Sequence, residues 1–212
     1  MSALRAIARL PACAALLLPL ASHGTEAHYR YDPVHSQILF SVDHNGFSRA
    51  FGRLHIARGW LRFDPDDWNG AATELDIDLA GLDMGDAAWS KAVLGADYLD
   101  AAHARYAHFA STSVERTDDH RGVLHGRLTL RGITVPLDIP FTFNRQARTL
   151  YGLHTVAGFS ATASLDRTAF GITAHPNTIG RHVDVWLQIE AIRDRDRGVP
   201  PSSARSTDAP AH

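Results

Sequence analysis

Residues 133–143 read ITVPLDIPFTF, and every odd position is a large apolar residue: Ile133, Val135, Leu137, Ile139, Phe141 and Phe143. The even positions hold Thr134, Pro136, Asp138, Pro140 and Thr142. A repeat of two sends alternate side chains to opposite faces of an extended chain, so this is a strand with one dry and one wet face. So many bulky side chains on one face require a matching surface: another sheet, a bilayer, or the interior of a barrel. Pro136 and Pro140 both fall on the wet face. A proline donates no ladder hydrogen bond, so the strand is expected to be interrupted or only partly paired on one side, beside a barrel mouth.

The same period recurs along the chain. Segment 36–43 aligns Ile38, Phe40 and Val42, and segment 73–79 sets Leu75, Ile77 and Leu79 opposite Glu74, Asp76 and Asp78. Leu124, Leu128 and Leu130 face away from Arg127, Thr129 and Arg131, while Val183, Val185, Leu187 and Ile189 face away from Asp184, Gln188 and Glu190. Clean alternation and short turns such as Asp118-Asp119-His120 favour an antiparallel meander. Segment 86–99, DAAWSKAVLGADYL, breaks the pattern with helix formers and with Trp89, Val93 and Leu94, which predicts one or two short helices. About eight strands around one apolar interior make an all-β fold, an up-and-down barrel without exposed edges. A membrane barrel would turn Glu74, Asp76 and Asp78 into a lumen with no counter-row of arginines. The soluble barrel leaves them in water.

Export is legible at the N-terminus. Arg5 and Arg9 precede an apolar run from Ala12 to Ala21 and then small residues, the form of a cleavable secretory signal over residues 1–24, cut after Gly24 or Ala27. The run is shorter than the ~20 residues a spanning helix needs. The one cysteine, Cys13, lies inside this signal, so the mature chain forms no disulfide and suits a bacterial periplasm. Of 21 basic and 23 acidic residues the signal removes two basic ones, leaving 19 against 23 and a net charge of −4, which gives no general attraction for nucleic acid. Residues 194–212 carry alternating charges and paired prolines and read as a disordered tail, which leaves 28–193 as one domain.

The segments DPVHSQILFSVDHNGFSRAFGRL (32–54), FASTSV (109–114), GRLTLRGITVPL (126–137), GFSATASLDRTAFGI (158–172) and IGRHVDVWLQIEA (179–191) occur in an order that resembles the YceI family. The resemblance spans nearly the whole mature domain. It implies a lipocalin-like, eight-stranded antiparallel barrel with a helical insertion near its mouth, here residues 86–100. It also implies a periplasmic binding or carrier protein that holds a polyisoprenoid lipid, a quinone or a polyprenyl phosphate. Tyr98-Leu99 and Arg105 depart from the family pattern in the lid region, a difference that bears on the lipid rather than on the barrel.

Periodicity leaves two interiors open. The apolar faces can meet and fill a small barrel, as in a structural or stress-related protein, or they can line a tunnel; the resemblance selects the tunnel. Its expected ligand-binding residues are Phe40, Val42, Phe51, Ile77, Leu94, Phe109, Val135, Leu137, Ile139, Phe141, Phe159 and Phe170. His44 and Arg167 are the candidates for a phosphate or quinone head group, with a strand-end histidine and an arginine paired to Asp166 or another acid as the structural readings. The preferred ligand is a neutral prenyl lipid, with Arg167 held by a nearby carboxylate. Ser36, Ser111 and Thr112 suit ladder closure better than ligand contact.

Enzyme signatures are missing: the sequence has no GxSxG elbow, cysteine nucleophile, Gly-rich phosphate loop or HExxH helix. The 13 histidines never fall two, three or four apart, so no single strand or helix presents a pair to a metal. A metal-dependent barrel enzyme would need ligands from distant strands. The reading is therefore no enzyme, no cofactor, no metal and no nucleic acid; the partners are a polyisoprenoid lipid, transiently a membrane or membrane partner, and a second copy in a homodimer.

Overall fold

The computed structural model describes residues 27–150 and 152–194. The expected secretory signal, 1–24, and the expected tail beyond Asp194 lie outside the described residues. Among the described residues nine strands run antiparallel: β1 (Ala27–Tyr31), β2 (Gln37–His44), β3 (Ser48–Phe63), β4 (Ala72–Asp83), β5 (Tyr106–Arg116), β6 (Arg121–Leu130), β7 (Ile133–Arg148), β8 (Thr155–Asp166) and β9 (Ile179–Arg193). From β2 onward each strand pairs with the next, and β9 pairs back with β2. This closes the eight-stranded barrel that the alternation predicted.

The ninth segment shares a place in the ring. β1 pairs with β3 at residues 60–63 and with β9 at residues 191–193, directly beyond the stretches that β2 occupies. β1 and β2 are thus one long strand broken by a turn. The break has a physical cause: Tyr29 and Tyr31 face in on odd positions, whereas Ile38, Phe40 and Val42 face in on even ones, so the chain must change register between them. Asp32 makes the turn by accepting from the Val34 and His35 amides at 2.8 and 3.2 Å. The buried Ser36 hydroxyl closes it, donating to the Glu190 carbonyl and accepting from the Glu190 amide.

β7 shows why its prolines are tolerated. Residues 133–142 pair with β6 throughout, but pairing with β8 starts only at Phe141. Pro136 and Pro140 therefore stand where one flank has no ladder to break. A 3-10 turn, Arg167–Phe170, packs beside this gap, and Gly171 ends it in the left-handed conformation at φ 73°.

The outer face carries the charge. On β4, Asp76 accepts from Arg58 at 2.6 Å and from His108 at 2.7 Å, and Asp78 accepts from Arg105 at 3.2 Å. The one α-helix among the described residues, α1 (Ala87–Leu94), starts at Asp86, whose carboxylate accepts from the Trp89 amide at 2.8 Å. None of its residues is buried, so it lies on the barrel as a cover rather than as part of a core.

Candidate functional site

Inside the barrel is a cavity of about 380 Å³. Side chains of all eight barrel strands line it, and over part of the barrel's length they leave space between them. Three inward glycines explain how an eight-stranded barrel stays open. Gly52 lies opposite Phe40 and Gly122 opposite Phe141, while the Phe109 ring lies over Gly126. A ring resting on a glycine stays against the wall, where a side chain would push it into the lumen. Ala107, Ala161 and Ala163 keep other wall positions thin.

One end is sealed by aromatic packing. Phe63 lies with ring centroids 5.0 Å from Phe143, 5.0 Å from Phe159 and 5.5 Å from Trp68. Trp68 also stacks on Phe141 at 5.3 Å and carries the Arg116 guanidinium on its face at 5.0 Å. Offset and edge-on rings of this kind add stabilisation beyond the area they bury.

The other end opens. Of the lining residues, only His44, Trp89 and Ala92 are themselves exposed to solvent, and all lie where the β2 end meets α1. His44 and Trp89 face each other with ring centroids 6.0 Å apart. Trp89, Ala92 and Val93 are the α1 residues that reach the cavity, a spacing that puts them on one helical face. Arg131, in the β6–β7 turn, ties down the following segment by donating to the carbonyls of Ala96 and Tyr98.

The wall is almost wholly apolar. Polar side-chain atoms come from Tyr31, His44, Thr73, Trp89, Tyr98 and Arg167, and no carboxylate or serine is among the lining residues. Tyr31 bonds Thr73, which in turn donates to the Trp60 carbonyl at 2.7 Å; burial pushes the Tyr31 phenol up to about 12, so it stays neutral. Such a wall binds greasy matter through area removed from water, ~25 cal/mol per Å², and offers no pair of groups for acid–base work.

The residues expected from sequence divide as follows. Phe40, Val42, His44, Ile77, Phe109, Leu137, Ile139, Phe141, Phe159, Arg167 and Phe170 all line the cavity. Val135 and Leu94 do not: Val135, partly buried, packs against the main buried cluster, and Leu94 packs with Ala50, Leu82 and Met84. Phe51 lies on the outer surface, 62% exposed, because Ala50, Gly52 and Leu54 take the inward positions of β3. Ile133, at the end of its strand, is also exposed. The inward glycines were readable in sequence, since Gly122 and Gly126 share the parity of Leu124 and Leu128.

Arg167 differs from expectation in its partner. Its side chain is 5% exposed, and its guanidinium donates to four carbonyls: Gly180 at 2.8 Å, Ile172 at 2.8 Å, Ala174 at 3.0 Å and Ile179 at 2.9 Å. No carboxylate pairs with it among the described residues. Asp166 instead binds Arg181 at 2.6 Å, and that cation holds the Asp166 carboxyl well below the usual range. Arg167 therefore pins the loop 172–178 and the first residues of β9 together.

Asp32, His35 and Glu190 bring potential metal-ligand atoms within 4.8 Å of one another. They lie outside the cavity lining, and Asp32 is engaged by the turn amides and by the His35 ring at 2.8 Å. The register change in the barrel wall accounts for this cluster. Ser36 and Ser111 close ladders, Ser111 by accepting from the Thr73 amide.

Comparison with known proteins agrees with the architecture. An UPF0312 protein of Shewanella sp. (strain W3-18-1) is 29% identical over 178 residues, covering 84% of this chain and 93% of its own. One from Pseudomonas putida is 28% identical over 177 residues, covering 82% and 91%. Among solved structures, Burkholderia cenocepacia BcnA superposes with a TM-score of 0.68 at 19% identity, over 76% of this chain and 98% of its own. A polyisoprenoid binding domain from Saccharophagus degradans, implicated in plant cell wall breakdown, gives 0.58 at 14% identity over 80% and 99%. The YceI-like domain matches residues 29–191, from the first barrel strand to the last, and the chain belongs to that family.

Proposed function

We propose that this protein is a periplasmic carrier that holds one long-chain polyisoprenoid lipid in its barrel and performs no catalysis. The observation that carries the reading is the cavity: apolar along its length, sealed by aromatic rings at one end, open at His44 and Trp89 at the other. A flexible prenyl chain gains ~0.8 kcal/mol for each methylene it buries, so affinity needs no strong polar contact. The Saccharophagus domain of similar fold is described as polyisoprenoid binding, which supports the same ligand class.

A neutral head group of the quinone type suits the mouth better than a phosphate. Phosphate recognition by arginine uses a free fork of parallel N–H donors, and four of the five Arg167 donors are already given to backbone carbonyls. His44 and the Trp89 indole are the exposed polar groups left at the opening.

The test is native mass spectrometry of protein taken from the periplasm of its own host. A retained isoprenoid quinone is the expected mass; a polyprenyl phosphate would overturn the head-group assignment, and no retained lipid would overturn the carrier. The same preparation is expected in the soluble periplasmic fraction with its N-terminus near Thr25 or His28. Recovery in the membrane pellet with Met1 intact would overturn the location.

A further inference from the structure

The β2–β3 hairpin exposes aromatic side chains that neither the cavity nor the fold requires. Its turn is built by Asn45 and Gly46, both left-handed at φ 57° and 70°, with the Phe47 amide donating to the His44 carbonyl at 3.1 Å and the Gly46 amide to Asp43 at 3.1 Å. The Asn45 amide also donates to the Thr178 carbonyl at 2.6 Å, so backbone bonds and the Asp43 carboxylate hold this three-residue turn. The Phe47 ring takes no part in these bonds, yet it stands at the tip with 87% of its surface in water. Farther along the same hairpin, Phe51 is 62% exposed and stacks on Trp186 of β9, with ring centroids 6.5 Å apart. The half-exposed Leu39 sits opposite Trp186 in the ladder.

This surface is continuous with the cavity mouth. His44, one of the three exposed lining residues, stands three positions before Phe47 and faces Trp89 of α1, itself exposed. The charges around it are internally matched: Arg49 pairs with Asp184 at 2.6 Å and Arg53 with Asp83 at 3.5 Å. These pairs are exposed beside Phe51 and Trp186, so the face combines aromatic side chains with charges that cancel, and aromatic residues of this kind collect at membrane–water interfaces.

We propose that the β2–β3 hairpin face docks on a lipid bilayer through Phe47, Phe51 and Trp186 and sets the cavity mouth against the membrane; the proposal rests on the reading of the cavity as a lipid site. A prenyl chain leaving a bilayer for a distant barrel would have to expose its whole length to water, which the hydrophobic effect opposes. A mouth resting on the membrane lets the chain slide across with little exposure. A second copy is the weaker occupant. Three aromatic side chains of ~150–250 Å² each, two of them only partly exposed, fall short of the ~800 Å² per partner of a standard interface.

The measurement is co-flotation of the mature protein with phosphatidylcholine vesicles at 0.1 and 0.5 M salt, for wild type, Phe47→Ser/Phe51→Ser and Leu150→Ser. Leu150 is 91% exposed between β7 and β8, at the sealed end, and serves as a control for loss of an exposed apolar side chain far from the mouth. Wild type and Leu150→Ser are expected to float alike at both salt concentrations, and the double variant to lose at least five-fold in vesicle-bound fraction. Binding of a water-soluble short-chain isoprenoid quinone, read by titration without vesicles, is expected to be unchanged in all three. Loss of that binding in wild type would sink the lipid-site reading alone, since flotation is read separately. The docking proposal is overturned if wild type fails to float, if the double variant floats as well as wild type, or if Leu150→Ser loses as much. It is also overturned if sedimentation velocity shows that wild type is a dimer and the double variant a monomer, because the face then belongs to a second copy.

Discussion

Arg167 shows how one residue can serve a site without facing its ligand. Its guanidinium satisfies two carbonyls of the loop 172–178 and two at the start of β9, and so fixes the chain where it enters that strand. Arg167→Met keeps the apolar stem and abandons those acceptors. Each hydrogen bond to a charged group contributes ~1.5–3 kcal/mol, and partial rehydration of the loop recovers some of the loss, so a net destabilisation of ~2–4 kcal/mol is expected in urea unfolding. Arg167→Lys should recover little of it, since a point charge does not span four acceptors. A variant as stable as wild type would show that the loop holds itself. Gly52 makes the opposite point, because there the missing side chain matters. A Cβ at that position would collide with the Phe40 ring and the Met84 sulfur. Gly52→Ala should either cost ~1–3 kcal/mol by overpacking or turn Phe40 into the lumen and lower lipid retention; unchanged stability together with unchanged retention would contradict the packing described.

Among the elements, β7 and α1 divide the work of wall and cover. Leu137 lines the cavity from the β7 segment whose other flank is unpaired. Leu137→Trp adds bulk that a hollow interior can accept, so it should weaken retention of the prenyl lipid while the melting temperature of lipid-free protein stays close to wild type. A sharp fall in that temperature would mean that the space is not available to a side chain. The helix responds differently. Its N-terminus depends on the Asp86 carboxylate, and a lost cap costs about 0.5–2 kcal/mol. Since none of the helical residues is buried, Asp86→Ala should leave global unfolding almost unchanged and speed amide hydrogen exchange at Trp89 and Ser90. Uniformly faster exchange across the strands would show that the helix supports the barrel.

For the whole molecule, surface ion pairs set a pH window. The neighbouring carboxylates of Asp32, Asp100 and Asp138 raise His35, His103 and His125 above the ordinary 6.5. The folded state holds these protons more tightly than the unfolded chain, so the stabilisation is complete below pH ~6.5 and is lost as pH climbs through the raised values. Four carboxyls run the other way. Arg105 lowers Asp78, the His120 amide lowers Asp118, Arg181 lowers Asp166, and Asp32 is lowered, against the opposing effect of burial, by its bonds to the His35 ring and the turn amides, all from the ordinary 3.8. Their contribution is present above pH ~3.8 and lost as pH falls through the lowered values. Calorimetric melting temperatures are expected to be highest between pH ~4 and ~6.5, with a shallow alkaline decline because exposed pairs are weak. A maximum above pH 8 would contradict the assignment.

The faces of the strands were legible in the sequence, because alternation is a local property: Leu137, Ile139 and Phe141 turn inward and Glu74, Asp76 and Asp78 outward wherever the strand lies. Even the misplacement of Phe51 could have been read locally, since it shares its parity with Arg49 and Arg53. The residues that change parity could not. The step from Tyr31 to Ile38 depends on a turn held by Glu190 of a strand far along the chain. Whether the barrel is hollow also depended on which residues meet across strands. Gly52 under Phe40, Gly122 under Phe141 and Gly126 under Phe109 are products of register, which only the closed sheet sets. Arg167 is the same kind of case. Its charge and position were plain in the sequence, but its partners are four backbone carbonyls that any residues at those positions would supply, so tertiary structure alone decided what it binds.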